Sequence, residues 1–362
     1  MNLAWLIIFV VMIIYLQSVF FKKLGFKGLT YHRTFNKQTA FPNEKIEIVD
    51  EITNKKLLPL PWVSVEAKMS RYLVSVVDEH VPNEDQFHQT LFSLLPYQQI
   101  KRRHHMIVKK RGVYQLASVA LTLGDMFGFS DTYQSHETTG KLIVYPKLYR
   151  KNSLPSDVQV FLGEQTVNRW IIDDPFLKIG TRDYQAGDAS HKINWKQTAK
   201  RRELQVNEHD HTRELDLTIV LNIDQSDDIW LPINDEALFE ESLSIVGSMF
   251  YQLNQQAAPF SFVTNAVTIN QRQPELNAFK VLDEGTGQAH FQRGLTVLSY
   301  LIPERRHHFK HVLDDLIQRS TSETLVILTP VMTEAIITRV EALKKTGNRV
   351  TLIPLKLPKE VR

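Results

Sequence analysis

The chain has 362 residues, more than one hydrophobic core usually organises, so at least two folded domains are expected. Its 43 basic and 40 acidic side chains leave a formal charge of +3, which gives no reason to expect a nucleic-acid partner. Because cysteine is absent, disulfides, thiolate metal sites, iron–sulfur clusters and cysteine nucleophiles are excluded.

Residues 1–23 predict a transmembrane anchor. Residues 3–21 carry no charge, and nineteen helical residues reach across a hydrocarbon core of roughly 30 Å. Lys22, Lys23 and Lys27 follow the apolar run and nothing basic precedes it, so the positive-inside rule predicts a single-pass cell-membrane protein with cytoplasmic C-terminal domains. A cleaved signal peptide is the alternative, but the run lacks both a basic start and a small-residue cleavage site.

Residues 30–148 predict a β-sandwich domain. Short extended runs alternate with turn residues such as Pro42-Asn43 and Arg111-Gly112, at the spacing typical of an antiparallel sandwich. The predicted strands are residues 31–35, 44–53, 62–68, 101–109, 113–123 and 142–145.

Residues 149–214 form the predicted connecting segment, in which residues 153–180 show little regular pattern. It contains the densest cluster of unusual residues, namely Arg182, Asp183, Tyr184, Gly187, Asp188, Asn194, Trp195 and Lys196. Gly-Asp favours a tight turn, Arg182 is expected to pair with a neighbouring carboxylate, and Trp195 to bury its flat face. Two interpretations stay open: a partner-binding loop, or a clamp between domains.

Residues 215–357 predict an α/β domain. Residues 216–223 are a nearly continuous apolar run ending at Asp224, as in a strand covered on both faces of a parallel sheet. Asn234 and Asp235 are placed to cap a helix with apolar residues every three or four positions. Further strands (260–264, 324–329, 349–355) and helices (288–302, 305–319, 331–346) alternate, which favours a doubly wound, mostly parallel sheet.

The connecting segment resembles the signature of the family called domain of unknown function 58 (DUF58). That signature contains Arg-Glu-Tyr, Gly-Asp and Ile-Asp-Trp-Lys in the order in which this chain has Arg182-Asp183-Tyr184, Gly187-Asp188 and Ile193-Asn194-Trp195-Lys196. Asp and Asn replace the family's Glu and Asp, and His191 stands where Arg is common, so a pair of opposite charges is lost. Residues 110–114, 124–129 and 144–146 are similar to further landmarks of the family.

The resemblance implies a membrane-spanning N-terminus, a β-domain and a von Willebrand factor A-like α/β domain. It also implies a protein partner, an AAA+ ATPase of the MoxR type. Many family members enter the membrane as a two-helix hairpin, whereas this sequence predicts one span.

In von Willebrand factor A domains the first strand ends in Asp-x-Ser-x-Ser, whose oxygens hold Mg²⁺ at the carboxyl edge of the sheet. Here Asp224, Ser226 and Asp228 occupy this loop, but Thr329-Pro330 ends a later strand where Asp-Gly would add support. Two interpretations stay open: Mg²⁺ at a degenerate metal-ion site, or capping of the strand-to-helix turn by Asp224 and Ser226. No other cofactor is expected.

Other clusters give weaker signals. His209 and His211 alternate as on a strand but have no third ligand nearby, so a metal site is not expected there. His104-His105 and His307-His308 follow Arg pairs, a pattern typical of a solvated face or an anionic-membrane contact.

The leading hypothesis is a membrane-anchored, non-enzymatic adaptor that binds a protein partner. No nucleotide-binding loop or nucleophile elbow occurs, so no catalytic residue is predicted. The alternatives are a divalent-metal-dependent hydrolase at the Asp224 loop, and a purely structural envelope protein.

Overall fold

A computed structural model describes residues 3–77, 80–116, 118–125, 131–172, 178–185, 193–209, 217–226, 232–269 and 279–356. The described residues form a mixed α/β protein with seven α-helices and several sheets. The chain divides into two compact units. The first is Met1–Lys147 with Leu298–Tyr300, and the second is Leu148–Val297 with Leu301–Arg362.

Helix α1 (Leu3–Leu24) is long and apolar enough to cross a membrane, as predicted. The window Ile7–Leu24 has a mean hydropathy of 2.0. The helix ends where the Gly25 N–H donates to the Phe21 carbonyl at 2.7 Å. A Cβ on Gly25 would lie 2.5 Å from that carbonyl oxygen, so the turn requires glycine. The Phe21 side chain is buried in the core of the first unit, which fixes the end of α1 to the β-sheets.

Two four-stranded antiparallel sheets and one three-stranded sheet make up the rest of the first unit. Their strands are β1 (Leu29–Phe35), β2 (Thr39–Ala40), β3 (Lys45–Asn54), β4 (Leu60–Met69), β5 (Leu73–Ser75), β6 (Gln86–Leu94), β7 (Gln99–Val108), β8 (Gly112–Gln115), β9 (Val119–Gly124), β10 (Asp131–His136) and β11 (Lys141–Val144). The sheet orders are β1-β3-β7-β5, β10-β9-β4-β6 and β2-β11-β8.

The two four-stranded sheets share a core. Tyr31 and Ile52 of the first sheet and Val63, Phe92 and Leu121 of the second belong to one cluster of buried side chains. Strand β3 alternates buried and less buried positions along its length, because successive side chains of a strand point to opposite faces.

The strand predictions in this unit are mostly confirmed, with shifted ends. The prediction of one strand over residues 113–123 is wrong, because β8 and β9 lie there in different sheets. Strands β2, β5, β6 and β10 were not predicted. Strand β6 is a sheet edge with several polar residues, so it lacks the apolar run by which interior strands are found.

A buried carboxylate lies inside the first unit. Asp50 of β3 is 0% exposed and accepts a hydrogen bond from the Tyr31 hydroxyl at 2.7 Å. Arg33 Nε approaches it to 3.2 Å as an ion pair rather than an aligned hydrogen bond, and His104 Nε2 lies 3.0 Å away. The expectation that His104 belongs to a solvated basic face is therefore wrong, since β7 turns this ring towards Asp50.

The pKa values of this group follow from burial and charge. Burial raises the pKa of Asp50, but the hydrogen bond from His104 and the charge of Arg33 outweigh it, and the net pKa lies below the ordinary value. Burial and the Asp50 charge raise the pKa of the Tyr31 phenol. The group therefore holds its negative charge on Asp50 and its positive charge on Arg33.

Beyond Lys147, helices and strands alternate. The helices are α2 (Ser156–Ile172), α3 (Trp195–Arg201), α4 (Glu236–Gln255), α5 (Gly287–Tyr300), α6 (Phe309–Arg319) and α7 (Glu334–Lys345). The strands are β12 (Lys178–Asp183), β13 (Gln205–His209), β14 (Leu217–Leu221), β15 (Phe260–Thr264), β16 (Ala266–Thr268), β17 (Lys280–Gly285), β18 (Leu301–Arg305), β19 (Thr324–Thr329) and β20 (Arg349–Pro354).

The largest sheet of the second unit has the order β17-β15-β14-β19-β20. Strand β14 pairs in parallel with β15 and β19, β19 pairs in parallel with β20, and β17 is an antiparallel edge. Phe260 and Phe262 of β15 contact Phe250 of α4, whereas Val263 packs with residues of α6 and α7. Helices therefore cover both faces, which explains why all five residues of β14 are buried.

Several boundaries differ from those predicted. The expectation of little regular structure over residues 153–180 is wrong, since α2 occupies most of it. The predicted helix 288–302 ends at Tyr300, where the chain becomes β18 and pairs with β16. Helix α7 begins after Thr333, whose hydroxyl accepts a hydrogen bond from the Ile336 N–H.

Replacing Asp50 with alanine is expected to destabilise the first unit, because the buried Arg33 guanidinium loses its counter-charge. Breaking a buried pair in this way costs about 3–5 kcal/mol. Hydrogen–deuterium exchange of the detergent-solubilised full chain measures the effect as faster exchange in β3 and β7. Since the folded-state pKa of Asp50 is lowered, its contribution is present at neutral pH and is lost as the pH falls through that pKa.

Glu51→Ala is the matched control. Glu51 is the next residue of β3, lies 3.8 Å from Lys101 and is partly exposed, so its loss is expected to change stability by less than about 1 kcal/mol. Equal exchange rates in the two variants would contradict the importance of the buried group.

Candidate functional site

The residues of the predicted signature lie on a small structure that we call the signature hairpin, made of β12, α3 and β13. Strand β12 pairs antiparallel with β13, with Asp183 opposite Gln205. The Tyr184 N–H donates to the Leu204 carbonyl at 2.9 Å, and Ile193 forms a bridge with Val206. The two ends of the signature are thus brought together by strand pairing.

Asn194 begins the helix of the hairpin. Its side-chain oxygen accepts a hydrogen bond from the Gln197 N–H at 3.1 Å, which satisfies one of the free donors at the start of α3. Asparagine and aspartate cap helices about equally well. The replacement of the family's Asp by Asn194 therefore keeps the cap and removes only the charge.

Gln205 ties the hairpin together from inside. It is 0% exposed, and its side-chain amide donates to the Asp183 carboxylate. Its backbone N–H donates to Thr198 Oγ1 at 3.0 Å. The replacement of the family's Glu by Asp183 thus leaves a carboxylate in contact with the second strand. Sequence reasoning missed Gln205, because a buried glutamine gives no local signal.

The hairpin presents aromatic side chains to solvent. Trp195 is 68% exposed at the first position of α3, and Tyr184 is also exposed. The expectation that Trp195 buries a large flat face is wrong: the described residues of α3 include no buried side chain against which the ring packs. Lys196 is exposed beside it. The side chain of Arg182 and the residues Gly187 and Asp188 lie outside the described part of the chain.

The second candidate site is the carboxylate of Asp224, just beyond the carboxyl end of β14. It is 2% exposed. Its Oδ1 accepts a hydrogen bond from Asn265 Nδ2 at 2.8 Å and lies 3.2 Å from Arg305 Nε. Its Oδ2 accepts from the Phe309 N–H at 2.9 Å and lies 3.5 Å from His308 Nδ1.

These contacts show what balances the charge of Asp224. The guanidinium of Arg305 supplies a positive charge, and the first N–H of α6 adds the favourable field of a helix N-terminus. The expectation of a solvated face is therefore wrong for Arg305 and His308, which are largely buried against this carboxylate.

Asp224 accepts the first N–H of α6, whose N-cap residue is His308, and does not cap the helix that follows it in sequence. Helix α4 is capped by Asp235, whose carboxylate accepts from the Leu238 N–H at 2.8 Å, as predicted. The Gln225 side chain accepts from the N–H groups of Asn234 and Asp235 and so holds the start of α4.

The remaining predicted ligands are only partly described. Ser226 is partly buried at the end of the described loop, and Asp228 lies outside the described residues. The side chain of His209 and the whole of His211 also lie outside them. Within the part of the chain that is described, no group of three or more His, Asp or Glu side chains is arranged to hold a metal ion.

Comparison with known proteins gives one family and distant structural likenesses. The family described as "Protein of unknown function DUF58" matches residues 180–361, which include the signature hairpin and the Asp224 loop. No curated protein matches the chain.

Among solved structures, the CARDB domain of a Pyrococcus furiosus protein is 13% identical, with 33% of this chain and 96% of that chain covered and a TM-score of 0.21. The sporulation control protein Spo0M of Bacillus subtilis is 12% identical, with 44% and 58% covered and a TM-score of 0.19. The C-terminal domain of Wzt is 11% identical, with 33% and 75% covered and a TM-score of 0.23. Likenesses of this size support no inference about function.

Replacing Asn194 with alanine is expected to loosen α3 by about 1 kcal/mol, because the first turn loses its cap. Hydrogen–deuterium exchange over α3 in the full chain measures the change. Asn194→Asp is the matched control and is expected to keep the protection of the wild type. If the alanine variant exchanges no faster than the aspartate variant, the cap does not hold the helix.

Proposed function

The chain belongs to the family of unknown function DUF58, and from that premise we propose that it is a membrane-anchored, non-enzymatic adaptor that binds a protein partner through the signature hairpin. The observation that carries the proposal is the exposure of Trp195. A tryptophan ring left in solvent is costly, and tryptophan and tyrosine are enriched among the residues that dominate binding energy.

The surroundings of the ring indicate the chemistry of the partner surface. Lys196, Lys200 and Arg201 are exposed on the same short helix, and Tyr184 lies on the adjoining strand end. An aromatic centre with a basic rim fits an apolar pocket bordered by acidic side chains. We propose that the protein with this acidic-rimmed apolar pocket is a MoxR-type AAA+ ATPase.

We further propose that the first unit is a β-sandwich and the second a von Willebrand factor A-like domain. The two antiparallel sheets of the first unit fit a β-sandwich, and the parallel strands with Asp224 beyond the end of β14 fit a von Willebrand factor A-like domain. Helix α1 fits a single membrane span with the following residues in the cytoplasm. In this arrangement the adaptor holds its partner at the inner face of the membrane.

The structural alternative is a hairpin that only clamps two domains. Among the described residues of the second unit Trp195 is exposed, which leaves its ring available to a protein partner and supports the adaptor.

A Trp195→Ala, Tyr184→Ala double variant is expected to lose at least about 30-fold in affinity for the ATPase, because hot-spot aromatics each contribute about 2 kcal/mol or more. Biolayer interferometry with the full chain in nanodiscs and a purified MoxR-type ATPase measures it. Tyr133→Ala, which removes an exposed aromatic ring from β10, is the control and is expected to bind as the wild type does. Equal affinity of the wild type, the double variant and Tyr133→Ala would show that the hairpin does not bind the ATPase.

The alternative from another class is a divalent-metal-dependent hydrolase using Asp224, Ser226 and Asp228. It requires Asp224 to give up its contact with Arg305 and turn an oxygen to Mg²⁺, which must displace a guanidinium already 3.2 Å away. The observed contacts favour the adaptor, because the Arg305 guanidinium already supplies a positive charge beside the buried Asp224 carboxylate.

Isothermal titration calorimetry of the full chain with Mg²⁺ distinguishes the adaptor from the metal-dependent hydrolase. We expect no saturable heat at millimolar Mg²⁺, and the same trace for wild type and Asp224→Asn. Saturable binding that disappears in Asp224→Asn, with hydrogen exchange in β14 unchanged, would support the metal site and count against the adaptor as the whole function.

A further inference from the structure

A lysine-rich and partly apolar surface surrounds the point at which α1 ends. Three segments form it, residues 22–28, 54–60 and 94–99, and none of them contains an Asp or Glu. We call it the juxta-helix surface. All three segments belong to the first unit.

Hydrogen bonds join the three segments. The Lys55 N–H donates to the Gly28 carbonyl at 2.8 Å, and the Tyr97 N–H donates to the Lys56 carbonyl at 3.3 Å. The side-chain amide of Asn54, which is fully buried, donates to the carbonyls of Leu58 at 2.9 Å and Leu95 at 3.0 Å. The surface is therefore a single connected piece of the protein.

Lys56 fastens this piece to the end of the helix. Its ammonium donates to the carbonyl oxygens of Gly25 and, at 2.9 Å, of Lys27. Burial lowers the pKa of Lys56 to about 8, as expected of an amine held among backbone groups. Gly25 is the residue after the last residue of α1, so the surface begins directly beyond the apolar helix.

Large apolar side chains stand out from this surface. Leu57 is 74% exposed, Leu95 is 65% exposed and Tyr97 is 70% exposed. Removing such apolar side chains from water is favourable, so their grouping on an exposed surface is costly. The exposed lysines around them are Lys22, Lys23, Lys27 and Lys55.

The distance from the membrane follows from the length of the span. When α1 crosses a hydrocarbon core of about 30 Å in a bilayer of about 40–45 Å, each headgroup layer is roughly 5–7 Å thick. Lys56 contacts backbone one to three residues beyond α1, and each residue adds no more than about 3.6 Å. Leu57 and its neighbours thus lie within reach of the headgroup layer.

We infer that the juxta-helix surface docks onto the leaflet from which α1 emerges, with Leu57, Leu95 and Tyr97 entering the interface and the exposed lysines contacting anionic lipid phosphates. Apolar and tyrosine side chains with basic neighbours are the composition that binds such an interface. Each lysine near an anionic surface strengthens this attraction. The inference rests on the membrane span and is independent of the proposed adaptor function.

The absence of cysteine allows a direct test, because one introduced cysteine is the only labelled site. Leu57→Cys and Leu95→Cys are labelled with the fluorophore NBD, and the full chain is reconstituted into phosphatidylcholine vesicles with or without one quarter phosphatidylglycerol. Lys45→Cys is the control, since Lys45 is exposed at the opposite end of β3 from Asn54, about 30 Å away. Lipids carrying a nitroxide near the headgroup quench labels that enter the interface.

The expected result is strong quenching and blue-shifted emission at positions 57 and 95, and neither at position 45. Quenching is expected to weaken in pure phosphatidylcholine and in a Lys27→Glu, Lys55→Glu background. Vesicle flotation checks that every variant is still inserted, so a loss of quenching reports on docking rather than on insertion.

Water-exposed labels at positions 57 and 95 in inserted protein would overturn the inference. Equal quenching at positions 45, 57 and 95 would also overturn the inference. Quenching that does not depend on phosphatidylglycerol or on the two lysines would overturn the role of anionic lipid. Protection of positions 57 and 95 that appears only when a second protein is added would assign this surface to a protein partner instead.

Discussion

A carboxylate taken out of water needs positive charge and N–H donors around it, and each unit of this protein contains a buried carboxylate with such partners. In the first unit, Asp50 of β3 is met by Arg33 from β1 and His104 from β7, so the charge is shared across neighbouring strands. In the second unit, Asp224 joins the end of β14 to Arg305 of β18 and to the first turn of α6. In both units, loss of the carboxylate would leave a largely buried guanidinium without its counter-charge.

The family signature is sustained by local hydrogen bonds more than by charge. Asn194 caps α3 without a carboxylate, and Asp183 remains in contact with Gln205 across the strand pair. The charges lost relative to the family are therefore not needed to form the hairpin.

Much of the fold was predictable from sequence because it depends on local patterns. The apolar strand β14, the helix after Asp235 and the apolar helix α1 are each specified by residues close together in the chain. The partners of the buried carboxylates were not predictable, because strand pairing brings Arg33 and Arg305 to them from elsewhere and both resemble surface charges in sequence. The exposure of Trp195 also runs against the usual burial of large rings, and it accompanies a short helix that has no buried residue.

The burial of Phe21 makes α1 more than a tether. Its ring belongs to the core of the first unit, and Lys56 donates hydrogen bonds to the turn that follows. The end of the helix is therefore held against the sheets. A membrane helix changes its tilt when the thickness of the bilayer changes. If α1 spans a bilayer as proposed, a change of its tilt rotates the first unit against the membrane plane, and the orientation of this unit becomes a function of bilayer thickness.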